Sequence, residues 1–546
     1  MKAPVIKGNI IDRIVSYVNP IAGARRLRAR LGLADFSASG YNYFGSGKQS
    51  MLGAFASPNS AQVDTGTNIS PMRASSRDMY MNAPIATGAL KRCRTNIVGY
   101  GLSVQARIDR GILGMSDDEA EKWEQKTERE FNFWANSKNC DASRTQNFFD
   151  LQRLVIMSKM LSGDCFALPV YKARPGWPYE LCFKILEADM VSNPLYSVDS
   201  DAIAGGVKLS GDGEPEGYWI SKTHPGGLTP SFTWDYVPAY NSAGRRNVYH
   251  IFERDRPGQV RGVPLLAPVI ESLKMITRLS ESELMAAVVT SFFTAFIKSS
   301  SGADIMADGL PASAKVTDPT DTSKLTYEMA PGSIIGLAEG EDVTMADPKR
   351  PNGAFEPFFQ AIVKAIGSAI EIPAELLLLN FTASYSASRA ALLEAWKFFN
   401  TERAWMATES CAPCYEEWLS EAVMKGFIDA PGFFSSERLR AAWSGSAWSG
   451  PGQGQLDPVR ETTAMVMKIT NNLSTHSKEV ASIDGDSWDS MILQRSRENK
   501  VVESHGLKPI VAGAAVPSEE DDDTETDDEK TVPADNKPVP PEEENE

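Results

Sequence analysis

The spacing of apolar residues changes several times along the chain and divides it into blocks. Helical spacing prevails over residues 80–163, where SDDE at 116–119 is a capping-box pattern that starts a helix. Over 166–253 the pattern changes to short β-rich runs separated by Pro, Gly, Asp and Asn turns. A helical stripe then returns and continues towards Ile297; it contains Leu266, Val269, Ile270, Leu273 and Ile276. These blocks predict an α+β protein.

Polar and Pro-rich segments interrupt the second half of the chain. Residues 299–352 carry five prolines and no helical period, so we expect a non-helical insertion between two helices. A shorter helix is predicted over 355–371, and a long helix continues to about Lys425 with an expected kink at Pro413. A last helical region is predicted over 458–503.

The stretch NFTASYSASRAALLEAW, residues 380–396, begins rich in hydroxyl groups and turns into a helix. One interpretation is a solvent-facing turn in which Ser384 or Ser386 caps the helix and Arg389 is a solvated first-turn residue. The other is a loop that faces a polar object passing beside it. The stretch by itself leaves both open.

The charge of the chain is concentrated at its end. The net charge is −16, but residues 519–546 hold fourteen acidic residues and two lysines, which leaves −4 for the rest. This tail has no aromatic residue and is predicted to be disordered. The longest apolar run, 285–297, is too short to span a membrane, and six scattered cysteines are typical of a reducing compartment.

Only degenerate motifs for nucleotide chemistry occur. In NYFGSGKQS, the positions that a phosphate loop needs as Gly and Ser/Thr are Asn42 and Gln49, so we interpret the segment as a flexible loop. The alternative that this motif leaves open is a nucleotide-binding motor or hydrolase that uses Lys48. The chain also has no dense basic stripe with interleaved aromatic residues, so the sequence does not indicate a tight, sequence-reading DNA binder.

Redox, metal and catalytic sites are not expected either. The pair Cys411 and Cys414 has redox-motif spacing but lies in a helical stretch without a βαβ context, which favours two packed thiols. Four dispersed histidines offer no i, i+4 pair for zinc. We therefore expect no enzyme activity, no cofactor and no metal.

The order of elements and five motifs carry a resemblance to a known family. The motifs are YHIFERDRPGQVRGVPLLAPVI (249–270), PGSIIGLAEGEDV (331–343), GSAIEIPAELL with SYSASRAALLEAW (367–377 and 384–396), LDPVRETTA (456–464) and NNLSTHSKEVA (471–481). They resemble, in the same order, the portal (head–tail connector) proteins of tailed bacteriophages, of the phage lambda type. The resemblance covers roughly residues 75–505.

The resemblance implies a mixed α/β wing, a helical stem, a small clip, a long wing helix and a helical crown, in a ring oligomer. The implied regions are a basic N-terminal arm (1–34), the N-terminal wing (35–261), the first stem helix (262–298), the clip (299–352), the second stem helix (353–373), the tunnel loop (374–388), the long wing helix (389–430), the C-terminal wing and crown (431–510) and the acidic tail (511–546).

The resemblance also implies function and partners. A portal forms a channel at one capsid vertex through which double-stranded DNA is packaged and later ejected, with twelve subunits in the assembled particle. Its partners are further copies of itself, DNA bound without sequence preference, terminase, major capsid and scaffold proteins and a head–tail adaptor. We expect a virion protein that is assembled in the host cytoplasm, without a membrane partner.

Two sets of site residues follow from this resemblance. The first is expected to face DNA in the channel, where hydroxyl groups make weak phosphate contacts that read no bases; it comprises Asn380, Thr382, Ser384, Tyr385, Ser386, Ser388 and Arg389. The second is more apolar than one buried stripe requires and is expected to pack between neighbouring subunits in the stem; it comprises Val288, Val289, Phe292, Phe293 and Phe296.

Overall fold

A computed structural model describes most of the chain between Asn59 and Gly506. The described residues are 59–66, 68–229, 232–291, 295–299, 315–317, 325–327, 341–345, 355–381, 384–453, 458–483 and 488–506. The predicted basic arm, the loop GSGKQS, most of the predicted clip and the acidic tail lie outside them.

The first part of the fold is helical, as its apolar spacing predicts. Its helices are α1 (Ala61–Gly66), α2 (Ile69–Asn82), α3 (Pro84–Ile97), α4 (Arg110–Leu113), α5 (Asp117–Ala135) and α6 (Phe148–Ser162), with strand β1 (Ser103–Ala106) before α4. The predicted capping box starts α5: Ser116 accepts from the amide of Glu119, whose side chain accepts from the amide of Ser116. Trp134 on α5 is fully buried, because one apolar face of that helix packs into the main core.

Two antiparallel sheets follow and confirm the change to β structure. The strands are β2 (Asp164–Tyr171), β3 (Leu181–Leu186), β4 (Ile203–Ala204), β5 (Val207–Leu209), β6 (Pro215–Ser221), β7 (Trp234–Pro238) and β8 (Tyr249–Phe252). The three-stranded sheet has the order β3-β2-β8, and the four-stranded sheet has the order β4-β5-β6-β7. Apolar side chains between the sheets form a second, smaller core that contains Phe166, Tyr218 and Ile220.

The helix predicted over 262–298 is shorter in the structure. A 3₁₀ turn, Ala267–Val269, leads into α7, Ile270–Ser291. The chain then forms strand β9 (Ala295–Ser299), which pairs antiparallel with a strand of the Pro-rich insertion, so the helical prediction is wrong for these residues. The sequence AFIKS is rich in residues that favour a paired, pleated strand, and pairing outweighs continuation of the helix.

The Pro-rich insertion is represented by three short strands, and helices follow it. The elements are β10 (Lys315–Thr317), β11 (Leu325–Tyr327), β12 (Glu341–Met345), α8 (Phe355–Ala369), α9 (Ala374–Leu378) and α10 (Tyr385–Met406). Strand β12 is the partner of β9, and β10 pairs with β11. Residues predicted as a continuous loop over 374–388 thus include helix α9 and the start of α10.

The long helix is kept continuous through Pro413 by a π-helical turn. Residues Ala407–Cys411 form this turn, and α11 (Ala412–Met424) follows it without a break. Proline has no amide to donate to the preceding turn, and a wider turn accommodates the missing hydrogen bond. The helix ends at Met424, with Lys425 as its C-cap, which confirms the predicted end.

The last elements of the main unit are short. They are α12 (Glu437–Trp443), β13 (Ser446–Ser449), α13 (Pro458–Thr470) and α14 (His476–Ile483). Strand β13 lies in a Gly/Ser/Trp-rich stretch that reads as a link, and it pairs with β1 more than 300 positions earlier. A separate unit begins at Trp488, and its described part is helix α15, Trp488–Ser504.

Candidate nucleic-acid interface

The approach to the predicted channel loop is a tight turn anchored on the main core. Helix α8 ends where Glu371 adopts a left-handed backbone conformation, with φ 57°, between the buried Ile370 and Ile372. A Cβ at Gly367 would lie 2.4 Å from the carbonyl oxygen of Ile372, so only glycine allows this close return of the chain. The start of α9 is therefore held in one place relative to α8.

The loop itself leaves α9 through a second left-handed residue. Leu379 has φ 53°, caps α9 and is 62% exposed. The side chain of Arg92 on α3 donates to the carbonyl oxygen of Leu377 over 2.6 Å, which fixes the end of α9. Asn380 and Phe381 follow as exposed residues, and the predicted contact residue Thr382 lies outside the described part of the chain.

Ser384 is the N-cap of α10. Its hydroxyl oxygen accepts from the amide of Ala387 at 3.4 Å and lies 3.2 Å from the hydroxyl oxygen of Ser386. Ser386 is exposed, and the hydroxyl group of Ser388 has no hydrogen-bond partner within the described residues. Two of the predicted hydroxyl residues, Ser384 and Ser386, are thus exposed. They lie at the N-terminus of α10, the positive end of the helix dipole, which favours anions.

Three predicted loop residues belong to the helix instead of the loop. Tyr385, Ser386 and Ser388 lie at the start of α10, so the predicted boundary between loop and helix at residue 389 is four residues too late. The reason is that the cap lies at Ser384, where the polar stretch first supplies a side-chain acceptor for the helix amides.

Arg389 faces an acidic side chain. Its guanidinium lies 3.4 Å from a carboxylate oxygen of Glu461 on α13, and it is 40% exposed. Arg389, which is predicted to face DNA in the channel, is therefore partly balanced in charge within its own subunit. The pair also joins the start of α10 to α13, which comes about 70 residues later in the chain.

Helix α7 divides into a buried half and an exposed half. Leu273 and Ile276 pack into the main core, whereas the residues from Ser280 to Val288 are all intermediate or exposed. Several large apolar residues are exposed along the helix, with exposed fractions of 61% for Met275, 67% for Leu284, 62% for Met285 and 43% for Val288. The helix thus projects an apolar surface from its anchored first turns.

The predicted stem residues are only partly described. Val288 lies in the exposed half of α7, and Val289 lies in the same helix. Phe292 and Phe293 lie outside the described residues. Phe296 is in strand β9, opposite Thr344, so its predicted position in the stem helix is wrong.

A buried ionic cluster fixes the chain segment that leads into α7. Asp164, at the start of β2, is fully buried and accepts from Arg73 at 2.8 Å and from Arg261 at 2.5 Å. Arg261 also donates to the backbone carbonyls of Ala188, Val191 and Gly205, so its guanidinium ties its own segment to three others, at Asp164, at 188–191 and at Gly205. This cluster joins α2, the three-stranded sheet and the segment GQVRG ahead of α7.

Electrostatics keeps the cluster charged. Burial alone raises the pKa of Asp164, but Arg261 and Arg73 bring it well below its usual range. His250 lies 3.3 Å from Asp164, and burial lowers the pKa of His250 to about 4. The histidine is therefore neutral at pH 7, stacked on the rings of Phe166 and Phe252.

Sequence reasoning missed this cluster. His250 and Arg261 stand in the motif that carries the family resemblance, but their partners Asp164 and Arg73 lie about 90 to 190 positions earlier. The sequence signal is a pair of glycines, Gly163 beside Asp164 and Gly262 beside Arg261. A Cβ at Gly262 would lie 1.9 Å from the carbonyl oxygen of Gly163. Such paired glycines mark a close backbone crossing that sequence alone does not pair.

The other chemical candidates have structural explanations. All six cysteines are buried and free, and burial raises the pKa of both Cys411 and Cys414, so these thiols are unreactive. In the described part, Glu187, Asp189 and His224 could together reach a metal ion. The guanidinium of Arg77 pairs with both carboxylates, at 3.0 and 2.5 Å, so a cationic side chain already balances their charge.

No helix among the described residues is long and apolar enough to cross a membrane.

Comparisons with known proteins agree with the resemblance. A family profile described as "Phage portal protein, lambda family" matches residues 47–403. The "Portal protein" of Escherichia phage N15 is 27% identical over 495 residues, which cover 87% of this chain and 93% of that protein. "Portal protein B" of Escherichia phage lambda is 27% identical over 496 residues, which cover 87% and 92%.

Solved structures with a similar chain come from gene transfer agent (GTA) particles. "Neck of empty GTA particle computed with C6 symmetry" gives a TM-score of 0.42 at 12% identity, covering 76% of this chain and 94% of that chain. "Neck of native GTA particle computed with C12 symmetry" gives a TM-score of 0.38 at 14% identity, covering 75% and 94%.

The family match spans well over half of the chain, and it includes the buried cluster, helix α7 and the start of α10. The chain belongs to the lambda family of phage portal proteins.

Proposed function

We propose that this chain assembles into a ring, of twelve subunits in the particle, at one capsid vertex. Double-stranded DNA enters through its central channel during packaging and leaves through it at ejection. The observation that carries the proposal is the family match over residues 47–403. Within the particle, the protein is a structural virion component, in keeping with a family whose members are non-enzymatic.

Exposure along α7 supports the ring. Leu284, Met285 and Val288 expose apolar side chains on a helix whose first turns are buried in its own subunit. Covering apolar surface of this kind stabilises an assembly by roughly 25 cal/mol of free energy per Å². Two neighbours in a ring cover it by heterologous contacts, in which each subunit presents one surface to the left and another to the right. We extend this contact to the predicted residues Val289, Phe292 and Phe293.

The loop between α9 and α10 is the proposed DNA contact. Asn380, Ser384 and Ser386 are exposed polar residues, and the latter two lie at a helix N-terminus, where backbone amides and the helix dipole favour phosphate. We include Thr382, Tyr385, Ser388 and Arg389 in the same contact. Hydroxyl groups bind phosphates without reading bases, and the contact is therefore independent of sequence.

Weak binding suits a conduit. Each phosphate that a Lys or Arg neutralises adds binding free energy through counterion release, and a ring multiplies the effect by its number of subunits. The chain without its acidic tail carries a net charge of only −4, and Arg389 is paired with Glu461. DNA held by such a surface still slides.

The remaining partners follow from the portal role. The Pro-rich insertion between α7 and α8 is the proposed clip and terminase contact. Major capsid and scaffold proteins bind during assembly in the host cytoplasm, and a head–tail adaptor binds afterwards. The basic arm, residues 1–34, is a second candidate contact for scaffold or coat protein.

Electron microscopy of the purified protein with class averaging, alongside its mass in solution, tests the ring directly. The expected result is a ring with a central channel and about a dozen subunits. A protein that stays monomeric or dimeric under all assembly conditions contradicts the proposal.

The DNA contact is tested separately from the ring. The triple variant Ser384→Ala, Tyr385→Ala, Ser386→Ala is expected to form normal rings but to package or retain less DNA. The matched control is Ser435→Ala, an exposed serine on another part of the fold. Normal packaging and retention by the triple variant would exclude a role for these side chains.

The alternative of a nucleotide-driven motor depends on Lys48, which lies outside the described residues. No specific observation favours it. Nucleotide hydrolysis by the purified protein that disappears in Lys48→Ala would support it.

A further inference from the structure

The four-stranded sheet buries one face and leaves the other open. Tyr218 and Ile220 on β6 point into the smaller core. Side chains alternate along a strand, so Trp219 lies on the opposite face, where it is the cross-strand partner of Tyr236 on β7 with ring centroids 5.0 Å apart. Trp234 lies two residues before Tyr236 and shares this face.

A strained loop adds another ring to the open face. Leu195 and Tyr196 both adopt left-handed backbone conformations, with φ 55° and 51°, which is rare for residues with a side chain. Asn193 holds this turn by donating to the carbonyl oxygen of Ser197 and to Asp199. Such strain persists only where the surrounding structure imposes it, and it is concentrated at functional positions.

The resulting surface is aromatic. Tyr196 lies edge-on to Trp234, with centroids 5.2 Å apart, and near Phe232 at 6.3 Å. We name this surface the aromatic face; it comprises Tyr196, Trp219, Phe232, Trp234 and Tyr236. Tyrosine and tryptophan are the residues that most often anchor protein contacts, because they bury a large area at a small entropic cost.

The aromatic face is incompletely covered. Exposure is 66% for Phe232, 45% for Tyr196 and 38% for Tyr236. The indole N–H of Trp219 is buried and has no hydrogen-bond partner among the described residues. Strand β7 is an edge strand, paired on one side with β6. Both features call for an added segment that supplies apolar side chains and backbone acceptors.

The chain itself supplies a candidate that starts beside this surface. Gln62 in α1 donates to Asp199 at 2.7 Å, and Asp199 also accepts from Asn193 in the strained turn. The described chain begins at Asn59, three residues before Gln62. Residues that precede Asn59 therefore depart from the base of the loop that carries Tyr196.

The composition of this preceding segment fits an aromatic surface. Residues 36–58 contain only one charged residue, Lys48. Their large apolar residues are Phe36, Tyr41, Tyr43, Phe44, Met51, Leu52 and Phe55. Phe44 is 15 positions before Asn59, which allows an extended reach of roughly 50 Å. Length and polarity therefore both permit contact.

We infer that residues 36–58 dock on the aromatic face of the same chain. The segment covers Phe232 and Tyr236, and a backbone carbonyl within it accepts from Trp219. In this role GSGKQS, at residues 45–50, is the small and polar connection between two apolar stretches instead of a phosphate loop. The inference does not depend on the proposed function.

Photocrosslinking of the full-length protein tests this contact. Benzoylphenylalanine placed at Tyr236 is expected to crosslink to peptides from 36–58. The control places it at Tyr100, which is 98% exposed outside the aromatic face and is expected to give no such product. Mixed ¹⁴N and ¹⁵N protein reports whether both peptides come from one chain.

Same-chain crosslinks to 36–58 support docking of this segment on the aromatic face. The inference is overturned if the only crosslinks are to another segment, to a neighbouring copy or to a different protein. It is also overturned if no crosslink forms.

Hydrogen exchange provides a second measurement that leaves the aromatic face intact. The variant Tyr43→Ser, Phe44→Ser is expected to raise the exchange rate of the β7 amides about tenfold, because the docked segment shields this edge strand from solvent. The control variant Ser46→Ala, Ser50→Ala changes the same segment without removing apolar anchors and is expected to leave these rates unchanged. Equal rates in all three proteins overturn the inference.

Discussion

Replacement of Asp164 by alanine probes the buried ionic cluster that joins α2, the three-stranded sheet and the segment ahead of α7. The carboxylate is fully buried and is shared by Arg73 and Arg261, whose side chains are 3% and 2% exposed. Its removal leaves two buried guanidinium groups close together, each with fewer acceptors. Asp189, at 3.3 Å from Arg73, compensates only one of them.

The expected loss can be estimated from these contacts. Removal of one partner from a buried, hydrogen-bonded ion pair costs about 3–5 kcal/mol, mostly because the other charge stays buried without compensation. An exposed pair is worth at most about 1 kcal/mol. Asp150→Ala, which removes the exposed pair of Asp150 with Arg153, is thus the matched control for Asp164→Ala.

Urea unfolding followed by tryptophan fluorescence measures both variants. Asp164→Ala is expected to lose about 3–5 kcal/mol and Asp150→Ala less than about 1 kcal/mol. The double variant Asp164→Ala, Arg73→Met is expected to be more stable than Asp164→Ala alone, because one uncompensated charge has been removed. A loss below 1 kcal/mol for Asp164→Ala, or a further loss in the double variant, would refute the reasoning.

Substitutions or reagents at four other single positions have measurable consequences. The pKa of His250 is about 4 in the fold and about 6.5 in an unfolded chain, so between these values only the unfolded state gains a proton. The free energy of unfolding should therefore fall by about 2–3 kcal/mol from pH 7 to 4.5. His250→Gln should lose that part of the pH dependence in urea titrations at both pH values. Gly262→Ala should cost at least about 2 kcal/mol by urea denaturation because its Cβ meets a backbone oxygen, whereas Gly211→Ala, in open space, should change stability little. Leu284→Asp should reduce ring formation in mass measurements without lowering monomer stability, and unchanged rings would contradict the proposed stem contact. Thiol reagents at pH 8 should label Cys414 only after denaturation, as followed by mass spectrometry, because burial raises its pKa.

Local signals predicted the elements that depend on neighbouring residues. The capping box at Ser116, the β-rich runs and the end of the long helix near Lys425 were all confirmed. Each of these depends on side-chain spacing or on capping within a few positions. Motif order along the chain also identified the family, because it samples many short segments at once.

Elements that depend on distant pairing were missed. Strand β13 lies in a stretch rich in Gly and Ser, and β1 supplies its partner from the other end of the fold. Phe296 has apolar neighbours at helical spacing, yet pairing with β12 makes it part of a strand. Local propensity is weak compared with a partner strand that satisfies backbone hydrogen bonds.

The candidate site shows the same division. The hydroxyl-rich stretch before α10 and the excess of apolar residues in α7 are visible in the sequence, since both are runs of neighbouring side chains. The pairing of Arg389 with Glu461 was decided only by the tertiary structure. The sequence by itself therefore determined the family, the order of elements and the segments that could contact DNA or a neighbouring subunit. Tertiary structure alone decided which charges are buried together, because Asp164, Arg73 and Arg261 are brought within hydrogen-bonding distance by packing between elements that no local pattern links.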